Sequence, residues 1–172
     1  MTGLESALRR IDADLKEAQV SFALVGGLAV SVRTEPRFTR DADLAVALTS
    51  DAEAEALILR LRQRDYLVGS VIEQAAVGRL ATVRLSRAGE DQAPVIDLLF
   101  ASSGIEAEIV ADADPIEVLP RLTLGVARTG HLIALKVLSR DDLRLCSRSP
   151  TMSGISNGSC CVTWRRKAIL SG

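Results

Sequence analysis

Cysteine is missing from the first 145 residues of this 172-residue chain; Cys146, Cys160 and Cys161 all lie near its end. That absence excludes a disulfide framework or a zinc-ligand spacing in the body. Histidine occurs once, at His131, so no acid–histidine arrangement accompanies the serines of Ser102-Ser103-Gly104, and a turn is the better reading there. No apolar run approaches the roughly 20 residues that a membrane span needs. Charges run through the first 18 residues, where a signal peptide would be apolar. A soluble, cytoplasmic protein is the expectation. The formal net charge of −1 supplies no overall basic field for nucleic acid. It hides an asymmetry: Arg144, Arg148, Arg165, Arg166 and Lys167 leave 16 basic residues against 22 acids over positions 1–142.

The length suits one domain with a real core. Leu4, Leu8, Ile11, Leu15 and Ala18 recur at helical spacing, with Thr2 and Glu5 as a capping box. Phe22–Val25 reads as a strand ended by Gly26-Gly27. One or two helical turns over Leu28–Val32 follow, stopped before Pro36. Leu44–Leu48 reads as the next strand. Ser50 and Glu53 open a helix to about Arg64. Strands are expected at Tyr66–Ile72, Leu80–Leu85 and Val95–Phe100, the last two joined as an antiparallel hairpin by Gly89-Glu90-Asp91. Ile105–Ala111 reads as helical, and Ile116–Leu119 and Leu122–Val126 as short strands. Thr129 is expected to cap a helix to about Arg140 that buries Leu132, Leu135 and Leu138. Positions 1–142 are thus one domain. Positions 143–172, with every cysteine, the only Trp and no regular period, form an atypical tail, expected to be disordered or frame-shifted.

The chemistry-bearing residues concentrate in VGGLAVSVRTEPRFTRDADLAV, Val25 to Val46. Asp41 and Asp43 are both ionised at neutral pH and repel unless a cation sits between them. Residues i and i+2 of a strand share a face, so both could meet one or two Mg²⁺ ions, which take hard oxygen ligands. Asp97, inside the apolar strand VIDLLF, needs a metal, a base or an exposed face. Gly26-Gly27 either lets backbone amides approach a phosphate or makes a tight strand-to-helix turn; the spacing of a dinucleotide-binding loop is absent. Arg33, Arg37 and Arg40 bracket the acid pair and could grip phosphate, although local salt bridges explain any one of them. Lys136 either snorkels from its apolar neighbours or reaches a ligand. His131 reads as a capping or packing residue of its helix.

ALVGGLAV, RFTRDADLAV, VIDLLFASSGIE and ARTGHLIALKVLSRDD, in that order over roughly residues 15–142, resemble the nucleotidyltransferase superfamily, in particular the minimal AbiEii/AbiGii toxin type. The resemblance implies an α/β (α+β) fold, a mixed sheet flanked by helices. It implies that Asp41 and Asp43 hold the metals with Asp97 as third acid, that Gly26 and Gly27 shape a phosphate loop, and that Lys136 contacts nucleotide phosphates; Arg40 joins them as a nucleotide-binding candidate. The implied reaction moves a nucleoside monophosphate from a triphosphate such as ATP to an acceptor hydroxyl, with Mg²⁺ (or Mn²⁺) as cofactor. The acceptor would be a tRNA, a protein or a small molecule, and a cognate antitoxin is an implied partner. Two departures stand out. Gly-Gly replaces the Gly-Ser of many members, and the tail replaces an Arg-Pro-x-Asp-like turn and a further amphipathic helix. A catalytically inactive nucleotide- or partner-binding module of the same fold is the alternative. An ordinary α/β domain would instead keep the three acids apart.

Overall fold

The computed structural model describes residues 3–34, 41–74, 78–89, 94–100 and 103–146, with side chains of the last helix through 138. Five helices and seven strands follow in the order α1 (Gly3–Glu17), β1 (Phe22–Val25), α2 (Gly26–Arg33), β2 (Ala42–Val46), α3 (Asp51–Arg62), β3 (Tyr66–Gln74), β4 (Arg79–Arg87), β5 (Ile96–Leu99), α4 (Glu106–Ala111), β6 (Asp114–Leu119), β7 (Leu122–Val126) and α5 (Thr129–Cys146). The strands form one mixed sheet, β3-β4-β5-β2-β1-β7-β6, in which β2 runs parallel to β5 and β1 parallel to β7.

Alternation along the strands sorts side chains onto two faces. Leu24, Leu44, Val83 and Leu98 join Leu8, Ile11 and Leu15 of α1 and Leu57, Ile58 and Leu61 of α3 in one large core. Ala23, Val25 and Ala45 face the other way, onto Ile109 of α4, with Leu132 and Leu135 of α5 packed against them. Asp43 precedes Ala45 by two positions and Asp97 precedes Leu99 by two. Both acids therefore lie on the face that carries α4 and α5.

Local chemistry explains the element ends. Ser50 caps α3 by accepting the Glu53 N–H at 3.3 Å, and the Glu53 carboxylate accepts the Thr49 N–H at 2.8 Å and bonds the Thr49 hydroxyl. Those donors hold Glu53 below the usual carboxylate range. At α5, Leu132 bonds the carbonyl of Arg128, so Thr129, expected to be the cap, is already the first helical residue, and the cap position falls one place earlier, on Arg128. The helix runs six residues beyond the expected end, to Cys146. Leu138, expected to be buried, is 38% exposed, because α5 turns its packed side, Leu132 and Leu135, onto the small second core. Strand β2 starts two residues earlier than its apolar pattern suggests, since the Ala42 N–H bonds Val95 at 2.9 Å and extends the pairing with β5. Thr2 and residues 147–172 lie outside the described residues.

Candidate active site

One row of side chains crosses the sheet. Ser70 of β3 pairs with Arg84 of β4, Arg84 with Asp97 of β5, Asp97 with Asp43 of β2, and Asp43 with Val25 of β1. Partners opposite one another in a sheet project on the same side. Parallel pairing of β2 with β5 therefore sets two carboxylates side by side, although 54 positions separate them in the chain. Asp41 lies just before β2 and is exposed.

The sheet delivers Val25 directly to Asp43, and the chain must then turn sharply. Gly26 makes that turn at φ +66°. A Cβ at Gly26 would sit 1.9 Å from an Asp43 carboxylate oxygen. Glycine is therefore demanded twice, by the left-handed backbone and by the acid pressed against it. The Gly27 N–H, at the start of α2, donates to the Asp43 carboxylate. The Gly-Gly pair is thus a tight strand-to-helix turn that also cradles an acid.

Burial first, then the charges of Asp97 and Asp41, push Asp43 up to about 6. The Gly27 N–H and Arg84 oppose that rise without cancelling it. Excess negative charge beside hard oxygen donors is what a divalent cation neutralises, so Asp41 and Asp43 are the side chains that could hold one. Asp97 stands differently. Its side chain is nearly buried, and both its oxygens accept from Arg84, at 2.9 Å from Nε and 2.7 Å from the terminal nitrogen. As these side chains stand, no group of three or more His, Cys, Asp or Glu among the described residues is disposed to hold a metal ion.

Arg84 is the residue that sequence reasoning missed. An arginine in an alternating strand reads as solvated surface. The expected Gly89-Glu90-Asp91 turn does not reveal it, because a hairpin centred on Glu90 sets position 84 opposite 96, whereas the observed register, one residue different, sets Arg84 opposite Asp97. Arg84 also senses the charges of Asp41 and Asp43, and the surrounding acids hold its protonated form more tightly than usual.

The other candidates serve different purposes. Arg33 donates to the carbonyls of Ala127 at 2.7 Å and Val126 at 2.9 Å, and to Asp114 at 2.7 Å. That fork ties α2 to β7 and β6 and holds Asp114 below its ordinary range. His131 packs between α5 and α4 with Nε2 3.5 Å from Glu108. Ser103 and Gly104 donate backbone N–H groups to the buried Glu106 carboxylate, which makes a capped turn. Lys136 is exposed on α5, the helix that packs against α2. Arg37, Arg40 and Ser102 lie outside the described residues.

No protein-family model matches the sequence, and no curated protein matches it. Among solved structures, the chain is similar to a Thermotoga maritima protein described as a "putative nucleotidyltransferase". The identity is 15%, the TM-score is 0.54, and the match covers 82% of this chain and 90% of that one. The fold is nucleotidyltransferase-like. No helix among the described residues is long and apolar enough to cross a membrane.

Proposed function

We propose that the chain transfers a nucleoside monophosphate from a triphosphate to an acceptor hydroxyl. The observation that carries this reading is the in-register pairing of Asp43 with Asp97 beside the Gly26-Gly27 turn, on a nucleotidyltransferase-like fold. Asp41 and Asp43 would hold Mg²⁺, with Asp97 joining as third acid. The bound cation would supply Lewis-acid polarisation of the phosphates and of the attacking hydroxyl. The hydroxyl oxygen forms a bond to the α-phosphorus as the bond to pyrophosphate breaks. The hydroxyl proton passes to a carboxylate of the cluster, for which Asp97 is the candidate. Positive side chains, Arg84 first, offset charge on the leaving phosphates. The four sequence motifs support an AbiEii/AbiGii-type toxin with an antitoxin partner. A tRNA, a protein or a small molecule supplies the hydroxyl.

A second reading has one observation in its favour: the Asp97–Arg84 pair, which leaves two acids rather than three facing a cation. On that reading the chain binds triphosphate without transferring it. Binding of each labelled ribonucleoside triphosphate, with and without Mg²⁺, tests the proposal on the native chain and on the Asp41→Ala, Asp43→Ala double variant. Metal-dependent binding that the double variant loses is expected. A folded native chain that binds none of the four would sink it. Binding without transfer to any RNA, protein or small-molecule hydroxyl would favour the second reading.

A further inference from the structure

Arg84 sits in the position of a charge that the acid cluster requires. It engages both oxygens of Asp97, and its field reaches Asp43 and Asp41 as well. Its own side chain is 49% exposed, whereas that of Asp97 is 12% exposed. One partner of this ion pair can leave for solvent or for an incoming anion, and the other is fixed in the sheet. A guanidinium matches phosphate oxygens in the same two-pronged way that it matches a carboxylate.

We propose that Arg84 is a phosphate-released latch: it clamps Asp97 until a triphosphate chain draws the guanidinium away, freeing Asp97 to complete the metal site. The inference rests on the nucleotidyltransferase reading and deepens it by coupling the order of binding. Without the polyphosphate, a divalent cation meets Asp41 and Asp43 together with an Asp97 already neutralised by arginine. With the polyphosphate, Arg84 exchanges one anion for another, and Asp97 turns its oxygens to the cation. No covalent step is involved. Arg84 is a phosphate-binding and positioning residue, and its removal has opposite consequences for the two ligands. A purely structural arginine would not produce that pattern, because loss of structure weakens both.

The test measures the two ligands separately. Binding of Mn²⁺ alone is followed by electron paramagnetic resonance of the free ion. Binding of inorganic tripolyphosphate, in EDTA, is followed by calorimetry. Arg84→Gln is expected to bind Mn²⁺ at least about 5-fold more tightly than the native chain and tripolyphosphate at least about 5-fold more weakly, the lower end of ordinary site-to-site coupling. Arg84→Lys keeps the charge but not the fork. It is expected to shift both affinities in the same directions by less, and it carries the test if Arg84→Gln does not fold. Unchanged Mn²⁺ affinity in a folded variant overturns the latch, as does unchanged tripolyphosphate affinity. Native Mn²⁺ binding that Asp43→Asn abolishes and Arg84→Gln leaves alone would retain the metal site and reject the latch. Failure of the native chain and of Arg84→Gln to bind either ligand would reject the nucleotidyltransferase reading and the latch together.

Discussion

At the scale of single residues, the site is built from one glycine and one strained acid. Gly26 and Gly78 both adopt positive φ, but only Gly26 has a neighbour where a side chain would go. Gly78→Ala is therefore expected to cost the backbone term alone, about 1–2 kcal/mol. Gly26→Ala adds the collision with Asp43 and should cost at least about 1 kcal/mol more. Urea unfolding of the two variants compares them directly; equal losses would mean that the Asp43 contact is absent. Asp43 makes a second prediction, with a definite sign. Its folded-state value, about 6, lies above its ordinary 3.8. The folded protein therefore takes up the proton first as pH falls, and ionised Asp43 opposes folding above pH 6. Metal-free protein should gain stability from this group as pH drops from about 7 toward 4, with nothing further gained below that. The upper bound is about 3 kcal/mol. Asp43→Asn keeps an acceptor for the Gly27 N–H and removes the charge, so it should flatten this part of the profile and stabilise the protein at pH 7.5 in EDTA. Unfolding curves of native and variant chains that rise in parallel between pH 7.5 and 5 would exclude Asp43 as the source.

Elements carry these residues into register, and here local and long-range information part company. The helices and strands are legible because their apolar periods are local: Leu8, Ile11 and Leu15 mark α1, and β1 matches its pattern from Phe22 to Val25. The antiparallel partnership of β4 with β5 matches the expected hairpin, but its register is one residue away from that of a turn centred on Glu90, and Glu90 and Asp91 lie outside the described residues. The parallel partnership of β2 with β5 is not legible, since nothing local says that a strand at 42 will lie beside one at 96. That pairing also moves the start of β2 and brings Asp43 into the sheet. The acids themselves stand out in the sequence, whereas the arginine opposite Asp97 does not, because charge on a strand looks the same whether it meets water or a buried carboxylate. Arg33 shows the converse. Its place beside the acid pair suggests phosphate, but its fork is filled by two carbonyls and Asp114. Arg33→Lys should thus lower stability by about 1–3 kcal/mol, since an ammonium cannot reproduce three directed bonds. Tripolyphosphate affinity of the folded variant should stay at the native value. A weakened affinity at undiminished stability would return Arg33 to the phosphate site.

At the scale of the molecule, the site has no local fold of its own. Gly26, Asp43, Arg84 and Asp97 come from four segments, and the sheet that joins them is shared by the large core beneath α1 and α3 and the smaller one beneath α4 and α5. Neither helix layer can leave without exposing strands that the other covers. Unfolding is therefore expected as one cooperative transition, and a ligand held by the row of side chains should stabilise all of it. At a free concentration about 100 times its dissociation constant, a ligand adds about 2.7 kcal/mol. For a domain of this size, that corresponds to a rise of roughly 5–10 °C in the unfolding midpoint. Differential scanning calorimetry with Mg²⁺ and the preferred triphosphate should show a single endotherm moving upward by that amount, and no shift in the Asp41→Ala, Asp43→Ala variant. Two endotherms, of which the ligand moves one, would mean that the two helix layers fold independently and that the sheet does not couple the site to the whole.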